Sequence, residues 1–258
     1  VHFLSQVATQ AYESGRTRVR QFLNAGHDRE IIFTRGTTEG INLVASSYGR
    51  SHIKAGDEVV ISAMEHHSNI VPWQLVARET GAEVRYVPIT PDGVLDLEAF
   101  RKLLSPRVRV FTVIDASNVL GTINPVAAMI RDVREVSPDA LTIVDATQSV
   151  PQMPVSFDEL LCDALAYSGH KIYGPTGIGV LVATSRFLAG LEPFLGGGEM
   201  IEKVTLEGST FARPPHRFEA GTPNIAGAVG LAAALEYVER LGFERIAAHE
   251  HDVSAYTG

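Results

Sequence analysis

The sequence offers almost no sulfur chemistry, because Cys162 is its one cysteine. An intrachain disulfide and a cysteine-rich metal site are therefore excluded. A chain without disulfides suits a reducing compartment, and we expect a cytoplasmic location.

Long apolar runs and blocks of one charge are also missing. No stretch of about eighteen apolar residues occurs, and the first residues lack the basic start and apolar centre of a signal peptide,. The net charge is −8, with acids and bases interspersed, and no basic stripe of the kind that binds nucleic acid is visible,. We therefore expect neither a membrane nor a nucleic acid as a partner.

What is present is an ordinary globular composition of 258 residues, 45% of them hydrophobic and 20% charged. That is enough material for a large core, in one large domain or two smaller ones. The chain has no initiator methionine and opens inside an amphipathic helical pattern. We therefore expect a fragment of a longer protein.

Apolar, β-rich runs recur along the chain, and the first four are each followed by a helical pattern. The runs lie at 30–34, 57–62, 83–88, 107–115, 141–146, 163–168 and 177–183. Continuous Val/Ile/Leu runs that alternate with helices predict an α/β fold with helices on both faces of a parallel sheet. In such sheets ligands bind at the carboxyl ends of the strands.

The last two runs modify this prediction. Only the eight residues 169–176 separate them, too few for a helical crossover, so we expect this pair to be antiparallel,. The predicted sheet is therefore mixed but mostly parallel, in a three-layer α/β/α arrangement. After residue 190 the Gly/Pro-rich sequence predicts loops, followed by a helix over 225–242.

The first strand leads into "TRGTTEG" at 34–40. Gly36 allows a close backbone approach, and Thr37 or Thr38 can cap the helix and offer a hydroxyl. A helix start with free amide groups suits an anion such as phosphate. The alternative is a simple threonine cap.

The second strand ends at "MEHHSN", which contains His66 and His67. Adjacent histidines point in different directions, and no Cys/Asp set completes a metal site, so we expect no metal. One imidazole stacked on a flat ring is a more natural use. The alternative is a hydrogen-bonded surface histidine.

Two further strand ends supply Asn118, Asp145 and Gln148. An aspartate that closes a hydrophobic strand is costly unless it is paired with a cation or a donor. Asp145 facing a protonated ring nitrogen would meet that demand. The alternative is that Asp145 caps the following turn.

Lys171 stands alone in "AYSGHKIYGPTGIG", flanked by Ser168 and His170. In a confined, low-dielectric site its ammonium form is disfavoured, which promotes imine formation with an aldehyde. The alternative is a lysine that extends from a strand end to solvent. A phosphate, a flat ring, a ring nitrogen and an aldehyde together describe one ligand, pyridoxal 5′-phosphate.

The motifs that carry these residues resemble those of Suf-type (group II) cysteine desulfurases, in the class V aminotransferase family of fold type I. The resemblance covers essentially the whole chain and includes "RGTTEGINLVA", "EHHSNIVPWQ", "SNVLGTINPV", "SGHKIYGPTGIGVL" and "FEAGTPN". It implies that residues 1–258 form the cofactor-binding large domain and that the carboxyl-terminal small domain is absent.

The resemblance also implies a role for each residue. Lys171 would hold the cofactor as an internal aldimine and later shuttle protons. Asp145 would pair with the pyridine nitrogen, His66 would stack on the ring, and Gln148 would hydrogen-bond the phenolic oxygen. Asn118 would contact the substrate or a cofactor oxygen. Lys171 and His66 are thus the expected catalytic residues.

The remaining residues would bind the cofactor's phosphate. Thr38, Ser168 and His170 would do so within one chain, with backbone help at Thr37. Thr222, in "EAGTPN", resembles the threonine that reaches the phosphate of the neighbouring subunit in family dimers. A homodimer is therefore expected.

The family's reaction converts L-cysteine to L-alanine and leaves a persulfide whose sulfur passes to an acceptor protein for iron–sulfur cluster assembly. Its nucleophilic cysteine and its carboxylate-binding arginine lie in the small domain, so the resemblance leaves this chain without either. Cys162 matches no catalytic position, and we expect it to be buried and structural. A selenocysteine lyase, an epimerase-like member and a non-catalytic binding module remain as alternatives.

Overall fold

A seven-stranded sheet forms the centre of the computed structural model, which describes residues 2–257. Its strands are β1 (Ile31–Thr34), β2 (Glu58–Ser62), β3 (Glu83–Val87), β4 (Val108–Ile114), β5 (Leu141–Asp145), β6 (Ala164–Ser168) and β7 (Gly179–Ala183). They are hydrogen-bonded in the order β1-β7-β6-β5-β4-β2-β3. β7 is antiparallel to both of its neighbours, whereas the other pairs are parallel. The predicted mixed, mostly parallel sheet is confirmed.

Helices cover both faces of this sheet. They are α1 (Phe3–Phe22), α2 (Thr37–Val44), α3 (Arg50–His52), α4 (Val71–Thr80), α5 (Leu97–Leu103), α6 (Val126–Val136), α7 (Phe157–Leu160), α8 (Ser185–Ala189), α9 (Ile225–Leu241) and α10 (Phe243–Thr257). Side chains from α1, α5, α6 and α9 share one buried cluster, and those from α2, α4 and α8 share the other. Within residues 2–257, no helix is both long and apolar enough to cross a membrane.

The strands other than the partly exposed edge strand β3 read as mostly apolar runs because both of their faces are buried. In β7, Val180 and Val182 join one hydrophobic cluster, and Leu181 and Ala183 join the other. Successive side chains of a strand point to opposite faces, so a strand between two helical layers needs apolar residues at every position. This explains why the sequence predicted these strands well.

Local signals set where helices on the crossovers begin and end. Pro72 lies in the first turn of α4, and Gly81 ends that helix in the left-handed conformation, with a φ of 78°,. Asp96 caps α5, because its side chain accepts a hydrogen bond of 2.9 Å from the Ala99 N–H,. Local sequence thus sets both ends of α4 and the start of α5.

The chain after residue 190 differs from its prediction as loop. Two strands, β8 (Ile201–Val204) and β9 (Ser209–Phe211), form an antiparallel hairpin outside the main sheet. The residues of β8 are exposed, and Leu206 at the turn is fully exposed. Because the hairpin buries neither face, its sequence lacks the alternation from which a strand could be predicted.

A buried ion pair joins α1 to the segment that precedes α9. The two Arg16 guanidinium NH groups donate to the two carboxylate oxygens of Glu219 at 2.7 and 2.9 Å. Glu219 also accepts the Phe33 N–H at 2.7 Å and the Tyr12 hydroxyl at 3.0 Å, while Arg16 donates to the Ile31 carbonyl at 2.7 Å. The helix, the edge strand β1 and the later segment are thus fixed to one another by one charged pair.

Replacing Arg16 with methionine should lower the free energy of unfolding by about 3–5 kcal/mol, because it leaves the Glu219 carboxylate buried without its cation. The double variant Arg16→Met/Glu219→Gln removes both charges and should recover a large part of that loss. Urea denaturation measures both values. Equal losses in the single and double variants would show that the pairing of charge is not what matters.

Candidate active site

A cavity of about 300 Å³ opens at the carboxyl ends of the central strands,. It is lined by Thr37, Thr38, His66, Ser68, Ile114, Asn118, Asp145, Thr147, Gln148, Ser168, His170 and Lys171. The predicted site residues, apart from Thr222, are therefore brought to one pocket. Asp145 and Ser168 are the last residues of β5 and β6, and the others lie in the loops and helices that follow β1, β2, β4, β5 and β6.

Three hydroxyl groups meet at one end of this pocket. The Thr37 N–H donates to Ser168 Oγ at 2.9 Å, and Thr37 Oγ1 lies 2.8 Å from Ser168 Oγ and 2.6 Å from Thr147 Oγ1. The expectation that a threonine caps α2 is wrong, because Gly36 occupies the cap position and makes no side-chain bond. The Thr37 side chain instead faces the pocket. Hydroxyls at a helix start are suited to hold a phosphate.

The start of α2 depends on a close approach between two backbones. A Cβ atom on Gly179 would lie 2.4 Å from the Gly36 Cα and 2.8 Å from the Tyr167 carbonyl oxygen. Only glycine fits there, since real Cβ atoms essentially never come so close to backbone. β7 therefore lies directly against the residue that leads into the hydroxyl cluster.

Asp145 closes β5 and is 1% exposed. One of its oxygens accepts the Thr147 N–H at 3.0 Å, so Asp145 both lines the pocket and makes the turn contact that was the alternative interpretation. Burial raises the pKa of Asp145, and the Thr147 hydrogen bonds and the nearby His66 oppose that effect. A buried carboxyl group of this kind is stabilised by a cationic or protonated ligand atom.

His66 lines the pocket, whereas the adjacent His67 does not. The Nδ1 atom of His66 accepts the Ser68 N–H at 3.2 Å and lies 2.8 Å from the Ser68 hydroxyl. This favours the tautomer with the hydrogen on Nε2. The rings of His66 and His67 are 5.8 Å apart and inclined by 41°. Among residues 2–257, no group of three or more His, Cys, Asp or Glu is placed to hold a metal ion.

Lys171 ends a 3₁₀ turn that follows β6, at Gly169–Lys171. Lys171 and His170 are both exposed, so the confined surroundings that the sequence predicted for the lysine are wrong. The side chains that follow do not cover Lys171, because Ile172 is buried in the core and Tyr173 is itself exposed. Asn118 is also exposed, while Gln148 is half-buried.

Thr222 does not reach this pocket. It is exposed and lines a second cavity of about 500 Å³, together with Tyr12, Phe33 and Glu219. The buried pair of Arg16 and Glu219 therefore supports the segment that carries Thr222. Within one chain Thr222 is separate from the other candidate residues.

The sequence did not reveal Glu65, which lies buried beside the pocket residue His66. Its carboxyl group accepts the Ile114 N–H at 2.7 Å and the Asn69 side-chain amide at 2.6 Å, and it also contacts the Ser62 hydroxyl. Burial raises the pKa of Glu65 to about 8, although these hydrogen bonds oppose the shift and Asp145 adds to it. An acid inside the quoted motif "MEHHSN", next to a buried strand, was the available signal.

Thr147 was missed as well, although it lies between two predicted residues in "VDATQS". Its backbone N–H holds Asp145 and its hydroxyl meets Thr37. A threonine in a turn is common, so the sequence alone gave no reason to single it out.

Comparison with known proteins identifies the family. The family model for aminotransferase class V matches residues 1–258. The chain belongs to the class V aminotransferase family.

Similar proteins in this family are cysteine desulfurases. The chain is 48% identical to a probable cysteine desulfurase of Halalkalibacterium halodurans over 99% of its own length, and 49% identical to a cysteine desulfurase of Klebsiella pneumoniae over the same share. The solved apo structure of a cysteine desulfurase from Thermococcus onnurineus superposes with a TM-score of 0.94 at 42% identity, covering 100% of this chain and 63% of that one. This chain spans about 63% of the length of the two curated relatives.

Class V aminotransferases and the cysteine desulfurases among them depend on pyridoxal 5′-phosphate. The residues of this pocket fit that group. The hydroxyls of Thr37 and Ser168 meet at the amino end of α2, where a phosphate is favoured,. The buried Asp145 calls for a protonated partner, and Lys171 supplies an accessible amine at the same pocket.

Gly179→Ala should destabilise the fold by about 1–3 kcal/mol or more, because the added methyl group meets the backbone of Gly36,. It should also displace the hydroxyl cluster and weaken pyridoxal phosphate binding. Gly198→Ala is the matched control, since nothing lies within 4 Å of its added Cβ. Urea denaturation and cofactor titration measure the two effects, and an unaffected Gly179→Ala protein would contradict the close approach.

The stability of the chain should fall as the pH rises toward about 8. Folding raises the pKa of Glu65, so the folded state retains a proton that the unfolded state has released,. This contribution is fully present below the ordinary carboxyl pKa and is lost as the pH passes the folded value. Unfolding free energies from about pH 5 to pH 9 should therefore fall more steeply in the wild type than in Glu65→Gln, by up to about 1.4 kcal/mol per pH unit. Parallel slopes would contradict this.

Proposed function

We propose that this chain is the pyridoxal phosphate-binding domain of a Suf-type cysteine desulfurase. One observation carries the proposal: a single pocket brings together the hydroxyl cluster of Thr37 and Ser168, the buried Asp145, the ring of His66 and the amine of Lys171. The similar cysteine desulfurases support the choice of activity.

The pocket residues would divide the work of holding the cofactor. Thr37, Thr38, Ser168 and His170 bind its phosphate, and Gln148 hydrogen-bonds its phenolic oxygen. The alignment of hydroxyls at the start of α2 gives this end of the pocket its preference for an anion,.

The remaining residues act at the ring and at the reacting carbon. When bound, pyridoxal phosphate supplies an electron sink for charge developing on the substrate. Asp145 keeps a proton on the ring nitrogen, and His66 packs against the ring face. Lys171 holds the aldehyde through its amine and then moves protons to and from the substrate, while Asn118 orients an oxygen of the substrate or cofactor.

The whole protein would convert L-cysteine to L-alanine and pass the sulfur to an acceptor protein for iron–sulfur cluster assembly. Cys162 is not suited to receive that sulfur. It is buried as expected, does not line the pocket, and has a thiol pKa that burial raises. A reactive cysteine needs the opposite environment, with a lowered pKa and access to substrate.

A homodimer in the cytoplasm completes the proposal. Thr222 is exposed on a cavity separate from the pocket of its own chain, so it is free to contribute to the pocket of a neighbouring subunit. The Arg16–Glu219 pair gives its segment a fixed place on the surface.

Pyridoxal phosphate added to the chain should produce a visible absorbance band, and borohydride should fix the cofactor on Lys171, as seen by peptide mass spectrometry. Lys171→Ala should lose both the band and the label, because the amine is removed. Lys203→Ala, which changes an exposed hairpin lysine, is the control and should retain both. A label that persists in Lys171→Ala would contradict the assigned role.

The activity is tested on the longer protein that contains this chain. It should release alanine and sulfur from L-cysteine in a reaction that the Lys171→Ala change abolishes. Cofactor binding without release of either product would reject the desulfurase while leaving the cofactor site in place.

A further inference from the structure

The pocket rests on a buried polar network that the mechanism above does not use. At its centre Glu65 accepts hydrogen bonds at both carboxyl oxygens, from the Ile114 N–H at 2.7 Å and from the Asn69 amide at 2.6 Å. Asn69 in turn accepts the Thr112 hydroxyl at 2.8 Å and the Trp73 ring N–H at 3.3 Å. One carboxyl group thus connects the loop after β2 with β4 and, through Asn69, with α4.

The two segments that Glu65 joins both contribute to the pocket wall. His66 follows Glu65 directly in the chain and lines the pocket, and Ile114 lines it from the end of β4. Glu65 itself is buried and does not line the pocket. Its influence on a ligand must therefore pass through these two neighbours.

We propose that Glu65 is a positioning residue, whose carboxyl group locks the segment that carries His66 to β4 and so fixes the ring of His66 over the pocket. This rests on the proposed function only where His66 is taken to face the cofactor ring. The neighbouring 3₁₀ turn His67–Asn69 is held by the same network, because Asn69 closes it onto Glu65.

The hydrogen-bond pattern requires an acid at position 65. Each oxygen of Glu65 accepts a bond from an N–H group, so a glutamine would turn its own NH₂ toward either Ile114 or Asn69 and leave buried donors unpaired,. The Ser62 hydroxyl also donates to the oxygen that accepts the Ile114 N–H, so the carboxyl group of Glu65 accepts three hydrogen bonds. Burial raises the pKa of Glu65 to about 8 against the effect of these three bonds.

The same pattern defines a variant that should repair the damage. In Glu65→Gln/Asn69→Asp, the glutamine NH₂ faces an aspartate oxygen, and the glutamine oxygen still accepts the Ile114 N–H. The other aspartate oxygen accepts the bonds from Thr112 and Trp73. The exchange places the acid at position 69 and the amide at position 65, and every buried donor of the network keeps an acceptor,.

The experiment compares wild type, Glu65→Gln, the exchanged double variant and the exposed control Glu159→Gln. Pyridoxal phosphate affinity should weaken about tenfold or more in Glu65→Gln, return to near the wild-type value in the exchanged variant, and stay unchanged in the control. Ring nitrogen NMR shifts of His66, measured without cofactor, should change in Glu65→Gln and return in the exchanged variant. These shifts report the tautomer of His66, which a purely structural role of Glu65 would not alter.

Several outcomes would overturn the positioning role. One is a folded Glu65→Gln protein with wild-type affinity and unchanged His66 shifts. Another is an exchanged variant that recovers its stability in urea but recovers neither the cofactor affinity nor the His66 shifts of the wild type. If Glu65→Gln alone does not fold, the comparison of the exchanged variant with the wild type tests the positioning role. A wild-type chain that binds no pyridoxal phosphate would reject the proposed function, whereas the His66 shifts would still decide the role of Glu65.

Discussion

Parallel pairing places the carboxyl ends of β2, β4, β5 and β6 at one edge of the sheet, and the chemistry of this chain depends on that constraint. The central strands are mostly apolar because helices cover both of their faces, so polar side chains that face a ligand gather where the strands end. His66, Asp145 and Ser168 are such residues. Their sequence separation is large, yet the sheet brings them to one pocket.

The antiparallel strand β7 adds a close contact with the start of α2 that a purely parallel sheet would lack. By running against β6 and β1, it brings Gly179 against Gly36 at the site where α2 begins. The missing side chain allows the Thr37 N–H to reach Ser168 at the end of β6. The phosphate end of the pocket is therefore a consequence of strand order as much as of the threonines themselves.

Sequence reasoning predicted the sheet, its antiparallel pair and most of the pocket, because these features follow from apolar runs, loop length and polar residues at strand ends. It failed where the deciding interaction is not local. The hairpin of β8 and β9 buries no face, the partner of Thr37 lies 131 residues away, and the exposure of Lys171 depends on what surrounds it in space. The role of Glu65 likewise appears only when β4 is placed beside it.

Two buried acids, Glu65 and Asp145, lie close to each other at the pocket but differ in the hydrogen-bond partners of their carboxyl groups. Burial raises the pKa of both, and the charge of Asp145 adds to the rise at Glu65. The oxygens of Glu65 already accept hydrogen bonds from Ser62, Ile114 and Asn69, so its partners are complete within the protein. Asp145 accepts the neutral N–H of Thr147 and lines the open pocket. Asp145 is therefore the acid that a protonated ring nitrogen in the pocket can pair with, whereas the partners of Glu65 all lie within the protein.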